Sequence, residues 1–187
     1  NQHLKFAVAH LNLFNLMTLS IIGLNHNSAP VDIREKIAFS PEQLSLAYQA
    51  LNKIDQVEES VIVSTCNRTE IYCYHNDNVD QQIVQWLNQF HNIEHNILAP
   101  HLYYHQDSYA TEHLFRLCSG LDSLVLGEPQ ILGQIKSAFS DANQSKSIKK
   151  HLSKLFHDAF SVAKQVRTDT EIGANPVSVA FAAVTLS

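Results

Sequence analysis

The chain of 187 residues has few glycines, few cysteines and no long apolar run. Its five glycines never cluster, so neither a G-x-G-x-x-G motif nor a Walker-type loop is present, and a standard nucleotide-binding fold is not expected. The three cysteines, Cys66, Cys73 and Cys118, form no C-x-x-C pair, which predicts a reduced, cytoplasmic protein. No stretch reaches the roughly 18 apolar residues of a membrane span, so no membrane association is expected.

The charge and the histidines exclude two further classes of protein. A formal net charge of -5 argues against nucleic-acid binding over the whole surface, although lysines concentrated between 134 and 170 allow one basic face. His91 and His95, like His101 and His105, have a four-residue spacing that one helix face could share. Neither pair has a carboxylate or a third ligand in the same pattern, so we predict no metal site.

Hydrophobic periodicity predicts an α+β fold. Residues 1–16 precede Met17, where a strand pattern starts, and we interpret them as an N-terminal extension. Apolar or alternating stretches predict strands, and amphipathic stretches between them predict helices, in the order β-α-β-β-α-β. This order is that of a ferredoxin-like antiparallel sheet with helices on one face. The predicted strands are 18–24, 57–64, 70–74 and 101–105, and the predicted helices are 41–53 and 79–91.

A helical region follows this motif. Helices are predicted over 108–119, from 129 onward, over 148–166, and from about 176 to the end of the chain. The helix over 148–166 carries much of the lysine-rich surface. That surface is either a face for nucleic-acid phosphates or an ordinary solvated helix face.

The segment STCNRTEIYCYH, residues 64–75, contains the candidate nucleophile. Only a few residues separate the second and third predicted strands, so Cys66, Asn67 and Arg68 are expected in a tight, exposed turn. A guanidinium two positions after a cysteine could favour its thiolate or hold a carboxylate by two hydrogen bonds. The alternative is a small residue that closes a turn. Cys73 and Cys118 fall at apolar positions and are predicted to lie in the core.

Other polar residues have ordinary interpretations when each is taken alone. His113 flanks the buried stripe of its helix, where it is either a surface residue or a group that reaches a cleft. Ser123 fits a capping residue, and Glu128, Pro129 and Gln130 fit a helix start. Gln130 and Gln134 would then form a solvated face.

Three long segments resemble bacterial glutamyl-tRNA reductase, the enzyme that begins the five-carbon route to haem and other tetrapyrroles. They are STCNRTEIY, HLFRLCSGLDSLVLGEPQILGQIKSAF and FSVAKQVRTDTEIGANPVSVAFAA, and GLNHNSAPVDIREK is similar to the start of that family. The resemblance implies a catalytic domain over 17–160. It also implies that residues 161–187 are connecting helices that lead to an NADPH-binding Rossmann domain beyond this chain.

The resemblance also implies a mechanism. Cys66 would attack the ester that joins glutamate to the tRNA 3′ end, and NADPH would reduce the resulting thioester to glutamate-1-semialdehyde. His113 would handle a proton or orient the substrate. This chain alone would form and slowly hydrolyse the thioester without making the aldehyde. The remaining residues implied in substrate binding are Thr65, Asn67, Arg68, Ser123, Glu128, Pro129, Gln130 and Gln134.

The same resemblance implies partners, namely glutamyl-tRNA(Glu), a second copy in a homodimer of the full-length protein, and glutamate-1-semialdehyde aminomutase. Two other functions stay open on the residues. A cysteine hydrolase or acyltransferase would use Cys66 and His113 on esters unrelated to tRNA. An RNA-binding module would keep Cys66 as a structural residue only.

Overall fold

A computed structural model describes residues 17–124, 127–170 and 172. Its strands are β1 (Thr18–Asn25), β2 (Val57–Thr65), β3 (Arg68–His75) and β4 (Tyr103–Gln106). Its α-helices are α1 (Val31–Lys36), α2 (Pro41–Leu51), α3 (Asp80–Phe90), α4 (His95–Leu98), α5 (Asp107–Cys118), α6 (Pro129–Gln144) and α7 (Lys150–Asp169). The predicted extension over 1–16 and the predicted last helix lie outside the described residues.

The four strands form one sheet in the order β2-β3-β1-β4, and each neighbouring pair is antiparallel. With α2 between β1 and β2 and α3 between β3 and β4, this is the ferredoxin-like arrangement that the sequence predicted. The strand and helix bounds differ from the predicted ones by one to three residues. None of the described helices is both long enough and apolar enough to cross a bilayer.

Helices cover both faces of the sheet, whereas the sequence predicted helices on one face. On the α2 face, the Ile62 amide donates to the hydroxyl of Tyr48 at 2.9 Å. Ile62 pairs with Ile71 on β3, so the next residue, Tyr72, points to the opposite face. There its ring packs edge-on against Phe156 of α7 at 5.4 Å between centroids. The helical region therefore closes a second core layer over the sheet.

A buried carboxylate fastens α7 to the sheet. Glu59 follows a register shift in β2 and is 1% exposed. Its two oxygens accept the backbone N–H groups of Lys149 at 2.8 Å, His151 at 2.9 Å and Leu152 at 2.9 Å. The first turn of a helix has N–H groups without intrahelical partners, and α7 has no side-chain cap of its own. Glu59 supplies that cap from a strand.

The starts of α2 and α1 show which helix signals the sequence does and does not carry. α2 begins at Pro41, the predicted first residue, and it has a capping box between Ser40 and Gln43. α1 has six residues and no side-chain cap hydrogen bond at Pro30, so it was not predicted. It matters because it brings Arg34 to the turn between β2 and β3.

Candidate active site

A two-residue turn, Cys66 and Asn67, joins β2 to β3. The hydroxyl oxygen of Thr65 accepts the backbone N–H groups of Asn67 and Arg68, each at 3.2 Å. Thr65 therefore shapes the turn from its first strand. The thiol of Cys66 is exposed, as predicted for a reachable nucleophile.

The other two cysteines are buried, which confirms their predicted place in the core. Burial raises the pKa of Cys73 far above its ordinary value. Burial, with the nearby charge of Glu70, raises the pKa of Cys118 to about 12. Cys66 is the one exposed cysteine of the three, so it is the candidate nucleophile.

Two residues outside the hairpin hold this turn. The backbone N–H of His26 donates to the Asn67 carbonyl at 2.9 Å. One guanidinium nitrogen of Arg34 donates to the Cys66 carbonyl at 2.6 Å and lies 3.3 Å from the side-chain oxygen of Asn67. Neither His26 nor Arg34 was singled out from the sequence. The available signal was their place in GLNHNSAPVDIREK, one of the segments that carry the family resemblance.

A buried carboxylate on β3 organises the polar groups behind the turn. Glu70 has no exposed surface. Its oxygens accept hydrogen bonds from Arg68 at 2.6 Å, from the hydroxyls of Tyr72 and Tyr103 at 2.5 Å each, and from the Nε2 nitrogen of His113 at 3.0 Å. The His113 bond requires its proton on Nε2. Four donors thus converge on one carboxylate.

A glycine makes room for this carboxylate. Gly23 lies opposite Glu70 in the β1–β3 register. A methyl group on Gly23 would lie 2.8 Å from the Cγ of Glu70 and 2.6 Å from the backbone oxygen of Thr69. Gly23 pairs on its other side with Tyr103 of β4. The absent side chain lets Glu70 cross β1 to reach the Tyr103 hydroxyl.

The electrostatics keep Glu70 charged and its two tyrosine partners neutral. Burial opposes ionisation of Glu70, but the charges of His113 and Arg68 and the donated hydrogen bonds hold its pKa well below its ordinary value. Burial and the charge of Glu70 raise the pKa of Tyr72 and that of Tyr103. The carboxylate therefore stays charged and both phenols stay hydrogen-bond donors.

The placement of Arg68 in the exposed turn was wrong. Arg68 is the first residue of β3 and is 1% exposed. One of its nitrogens binds Glu70 and another donates to the backbone carbonyl of Asp122 at 2.5 Å. A guanidinium with so little access to water requires a counter-charge, which Glu70 provides. Binding of a substrate carboxylate by Arg68 stays a prediction.

A cleft of about 470 Å³ includes His26, which is hydrogen-bonded to the turn, but Cys66 is not one of its lining residues. It is lined by the loop from Asn25 to Ser28, by Tyr103 and His105 of β4, by His113 of α5, and by Leu121, Asp122 and Ser123. The structure thus brings together two of the predicted site residues, His113 and Ser123. All of its lining side chains except Leu121 carry a polar group, which suits a charged amino-acid group better than an apolar ligand.

Two residues that line the cleft each have a buried polar atom without a hydrogen-bond partner in the described part of the chain. The hydroxyl oxygen of Ser123 and the Nδ1 nitrogen of His26 are buried and form no hydrogen bond within the part of the chain described. The ring of His105 stacks on that of His113 with centroids 4.8 Å apart. Burial and the charge of His113 lower the pKa of His105. Unpaired buried polar atoms are costly, so these two atoms mark places for ligand atoms or water.

The remaining predicted residues do not line this cleft. Glu128 is half-buried, and its backbone carbonyl accepts a hydrogen bond from Arg167 at 3.0 Å. Pro129 begins α6, and Gln130 and Gln134 are exposed on that helix. A shared substrate pocket that includes Gln130 and Gln134 therefore stays a prediction.

Neither a metal nor a dinucleotide finds a fitting set of residues in the described ranges. No group of three or more His, Cys, Asp or Glu side chains there is arranged to hold a metal ion. Gly23 lies within β1, Gly120 follows α5, and Gly133 lies within α6, so none of them opens a strand-to-helix turn for a pyrophosphate.

Comparison with known proteins gives a consistent result. The family model described as "Glutamyl-tRNAGlu reductase, N-terminal domain" matches residues 22–170. The glutamyl-tRNA reductase of Psychromonas ingrahamii is 56% identical over 172 residues, and that of Shewanella frigidimarina is 53% identical over 171 residues. Each alignment covers 91% of this chain but 41% of the relative, so the chain spans about two-fifths of those proteins.

A solved structure agrees. The structure titled "Glutamyl-tRNA Reductase from Methanopyrus kandleri" matches with a TM-score of 0.74 and 27% sequence identity. The match covers 90% of this chain and 39% of that one.

Proposed function

The chain belongs to the family of glutamyl-tRNA reductase N-terminal domains, and we propose that it supplies the catalytic thiol of a glutamyl-tRNA reductase. The observation that carries this proposal is the exposed Cys66 in a tight hairpin turn, whose neighbour Asn67 is hydrogen-bonded to His26 of the polar cleft. The substrate would be glutamyl-tRNA(Glu), with its glutamyl group in the cleft.

In the first step, the Cys66 thiolate attacks the ester carbonyl of glutamyl-tRNA. A carbon–sulfur bond forms, the carbon–oxygen bond to the terminal ribose breaks, and the ribose oxygen leaves with a proton. His113 reaches the cleft and is oriented by Glu70, so it can hold or deliver that proton. The product is a glutamyl thioester on Cys66.

The cleft offers polar contacts for the glutamyl group. The Ser123 hydroxyl and the His26 imidazole each have a buried atom free to bind an oxygen or an ammonium group. Thr65, Asn67 and Arg68 support the turn itself. Their contribution to binding would then be to keep the thiol at the edge of the cleft.

Reduction of the thioester to glutamate-1-semialdehyde would use NADPH, as in the family. Gly23 and Gly133 lie within a strand and a helix, and Gly120 and Gly127 lie between α5 and α6, so the described glycines form no dinucleotide turn that would hold NADPH. Family membership alone suggests a cytoplasmic homodimer and delivery of the aldehyde to glutamate-1-semialdehyde aminomutase.

The lysine-rich surface is a proposed contact for tRNA phosphates. Two of its lysines already have partners, because Lys149 lies 2.7 Å from Glu58 and Lys154 lies 2.6 Å from Asp158. Both pairs are exposed to solvent, where ion pairs are weak, so a phosphate can replace either carboxylate.

Intact mass spectrometry tests the proposal. The chain is mixed with glutamyl-tRNA, quenched in acid and weighed; a single glutamyl adduct that maps to Cys66 is expected. Cys66→Ser should remove the adduct while tRNA binding is retained, and Cys118→Ala, a change at a buried cysteine, should keep the adduct. Transfer from acyl esters unrelated to tRNA would favour a general acyltransferase. An unmodified chain that binds tRNA would favour an RNA-binding module.

A further inference from the structure

The turn that carries Cys66 lacks the backbone conformation usual for its length. Two-residue hairpin turns normally have positive φ angles, because such turns match the twist of the paired strands. Among the described residues, the non-glycine positions with positive φ are Asn92, Asp107 and Lys146. Neither Cys66 nor Asn67 is in that set. The shape of this turn therefore depends on side chains that bind it.

Among the described residues, Arg34 is the one with a charged side chain that is hydrogen-bonded to this turn. Its guanidinium lies 2.6 Å from the carbonyl oxygen of Cys66, the residue that bears the thiol. Hydrogen bonds from a charged donor are stronger than neutral ones. The preceding residue, Ile33, is 6% exposed and anchors α1 in the core. The guanidinium thus reaches the turn from a fixed helix.

The same side chain is close to the cleft. Burial lowers the pKa of His26, and the positive charges of Arg68 and Arg34 lower it further. His26 also donates its backbone N–H to the Asn67 carbonyl. Arg34 and His26 therefore clamp the two carbonyl groups of the turn, one each.

We propose that Arg34 is a positioning residue for the Cys66 nucleophile. By holding the Cys66 carbonyl, it fixes the direction in which the thiol leaves the turn, and it acts without contacting the substrate. This inference rests on the proposed function, because a fixed direction matters only if the thiol must meet a bound ester carbonyl. Misplacement of a reacting group by about 1 Å can cost about 100-fold in rate.

The test compares Arg34→Gln and Arg34→Lys with Lys36→Gln, an exposed charge on the same helix that forms no hydrogen bond to the turn. Single-turnover glutamyl transfer is followed by acid quench and intact mass. Arg34→Gln should lower the rate at saturating glutamyl-tRNA by about 10 to 100-fold, with the half-saturating concentration changed by less than about threefold. Arg34→Lys keeps one charged donor and should restore part of the rate. Lys36→Gln should stay within about twofold.

A second measurement separates positioning from loss of structure. Iodoacetamide is small and can approach an exposed thiol from many directions, so alkylation of Cys66 in Arg34→Gln should stay within about threefold of the original rate. Its urea unfolding midpoint should match that of Lys36→Gln. If Arg34→Gln exposes all three thiols to a disulfide reagent, it has lost its fold. Arg34→Lys then replaces it, with a reduced transfer rate and one reactive thiol as the expected result.

The outcomes distinguish two failures. An adduct on the unaltered chain with an unchanged rate in Arg34→Gln would overturn the positioning role alone. A raised half-saturating concentration with an unchanged maximal rate would also overturn it, because Arg34 would then bind substrate. No adduct on the unaltered chain would contradict the proposed function itself, and the inference with it.

Discussion

Replacement of Glu70 by glutamine tests whether the buried carboxylate holds the site together. The glutamine keeps the volume of the side chain but removes its charge. Arg68, which is 1% exposed, then stays buried without its counter-charge. Loss of one partner of a buried ion pair costs about 3 to 5 kcal/mol. Because Tyr72, Tyr103 and His113 also donate to Glu70, the loss should fall in the upper part of that range.

Urea unfolding followed by circular dichroism measures this loss. The matched control is Glu58→Gln, which removes a carboxylate that pairs with Lys149 at the surface. An exposed pair is screened by water, so the control should unfold at the same urea concentration as the original chain. If Glu70→Gln and Glu58→Gln have the same urea unfolding midpoint, the donors that converge on Glu70 do not stabilise the fold, and the buried carboxylate does not hold the site together.

The pH dependence of unfolding tests whether the pKa of the same carboxylate is lowered in the folded chain. The pKa of Glu70 in the folded chain is lowered from an ordinary value of 4.5. A group with a lowered folded pKa stabilises the fold above its unfolded pKa and loses that contribution as the pH falls towards the folded pKa. The original chain should therefore lose stability below about pH 4.5 more steeply than Glu70→Gln. Equal slopes would contradict the lowered pKa.

Three further predictions follow from other contacts. Gly23→Ala should destabilise the fold by about 1 to 3 kcal/mol, because the new methyl group would lie 2.6 Å from a backbone oxygen. Gly133→Ala is its control in urea unfolding: nothing lies within 4 Å there, and alanine is favoured over glycine in a helix, so stability should rise. Glu59→Ala leaves the amides at the start of α7 unpaired and should lower the free energy of unfolding by about 1 to 3 kcal/mol. Hydrogen exchange at those amides should become faster, and unchanged exchange would contradict the capping role. A disulfide reagent should titrate one thiol, Cys66, in the native chain and all three after unfolding; a second fast thiol in the native chain would contradict the burial of the others.

The order of the strands and of the longer helices could be predicted because each of them has its own hydrophobic periodicity. Ser40 and Pro41 also mark the start of α2, and the capping box is present. Coverage of both sheet faces was missed because helices on one face were expected from the ferredoxin-like order of the elements. Ile71, Tyr72 and Cys73 are all buried, and such a continuous run is typical of a strand packed on both sides.

The candidate site was only partly predictable. The position of Cys66 in a turn could be predicted, because only a few residues separate the two predicted strands. The network behind it has a period of two, since Arg68, Glu70 and Tyr72 share one face of β3, and this pattern was available in the sequence. No periodic pattern predicts that Tyr103 and Arg34 belong to the site, because only the pairing of β4 with β1 and the docking of α1 bring them there.

The cap that Glu59 places on α7 has a consequence for the order of folding. The carboxylate and the first amide that it binds are 90 residues apart in the chain. During synthesis, β2 is therefore made long before the helix that satisfies its buried charge. Until α7 is complete, burial of Glu59 carries the cost of an unpaired carboxylate, so β2 should reach its final place late. The strand that leads into the Cys66 turn is thus made early and reaches its final place late.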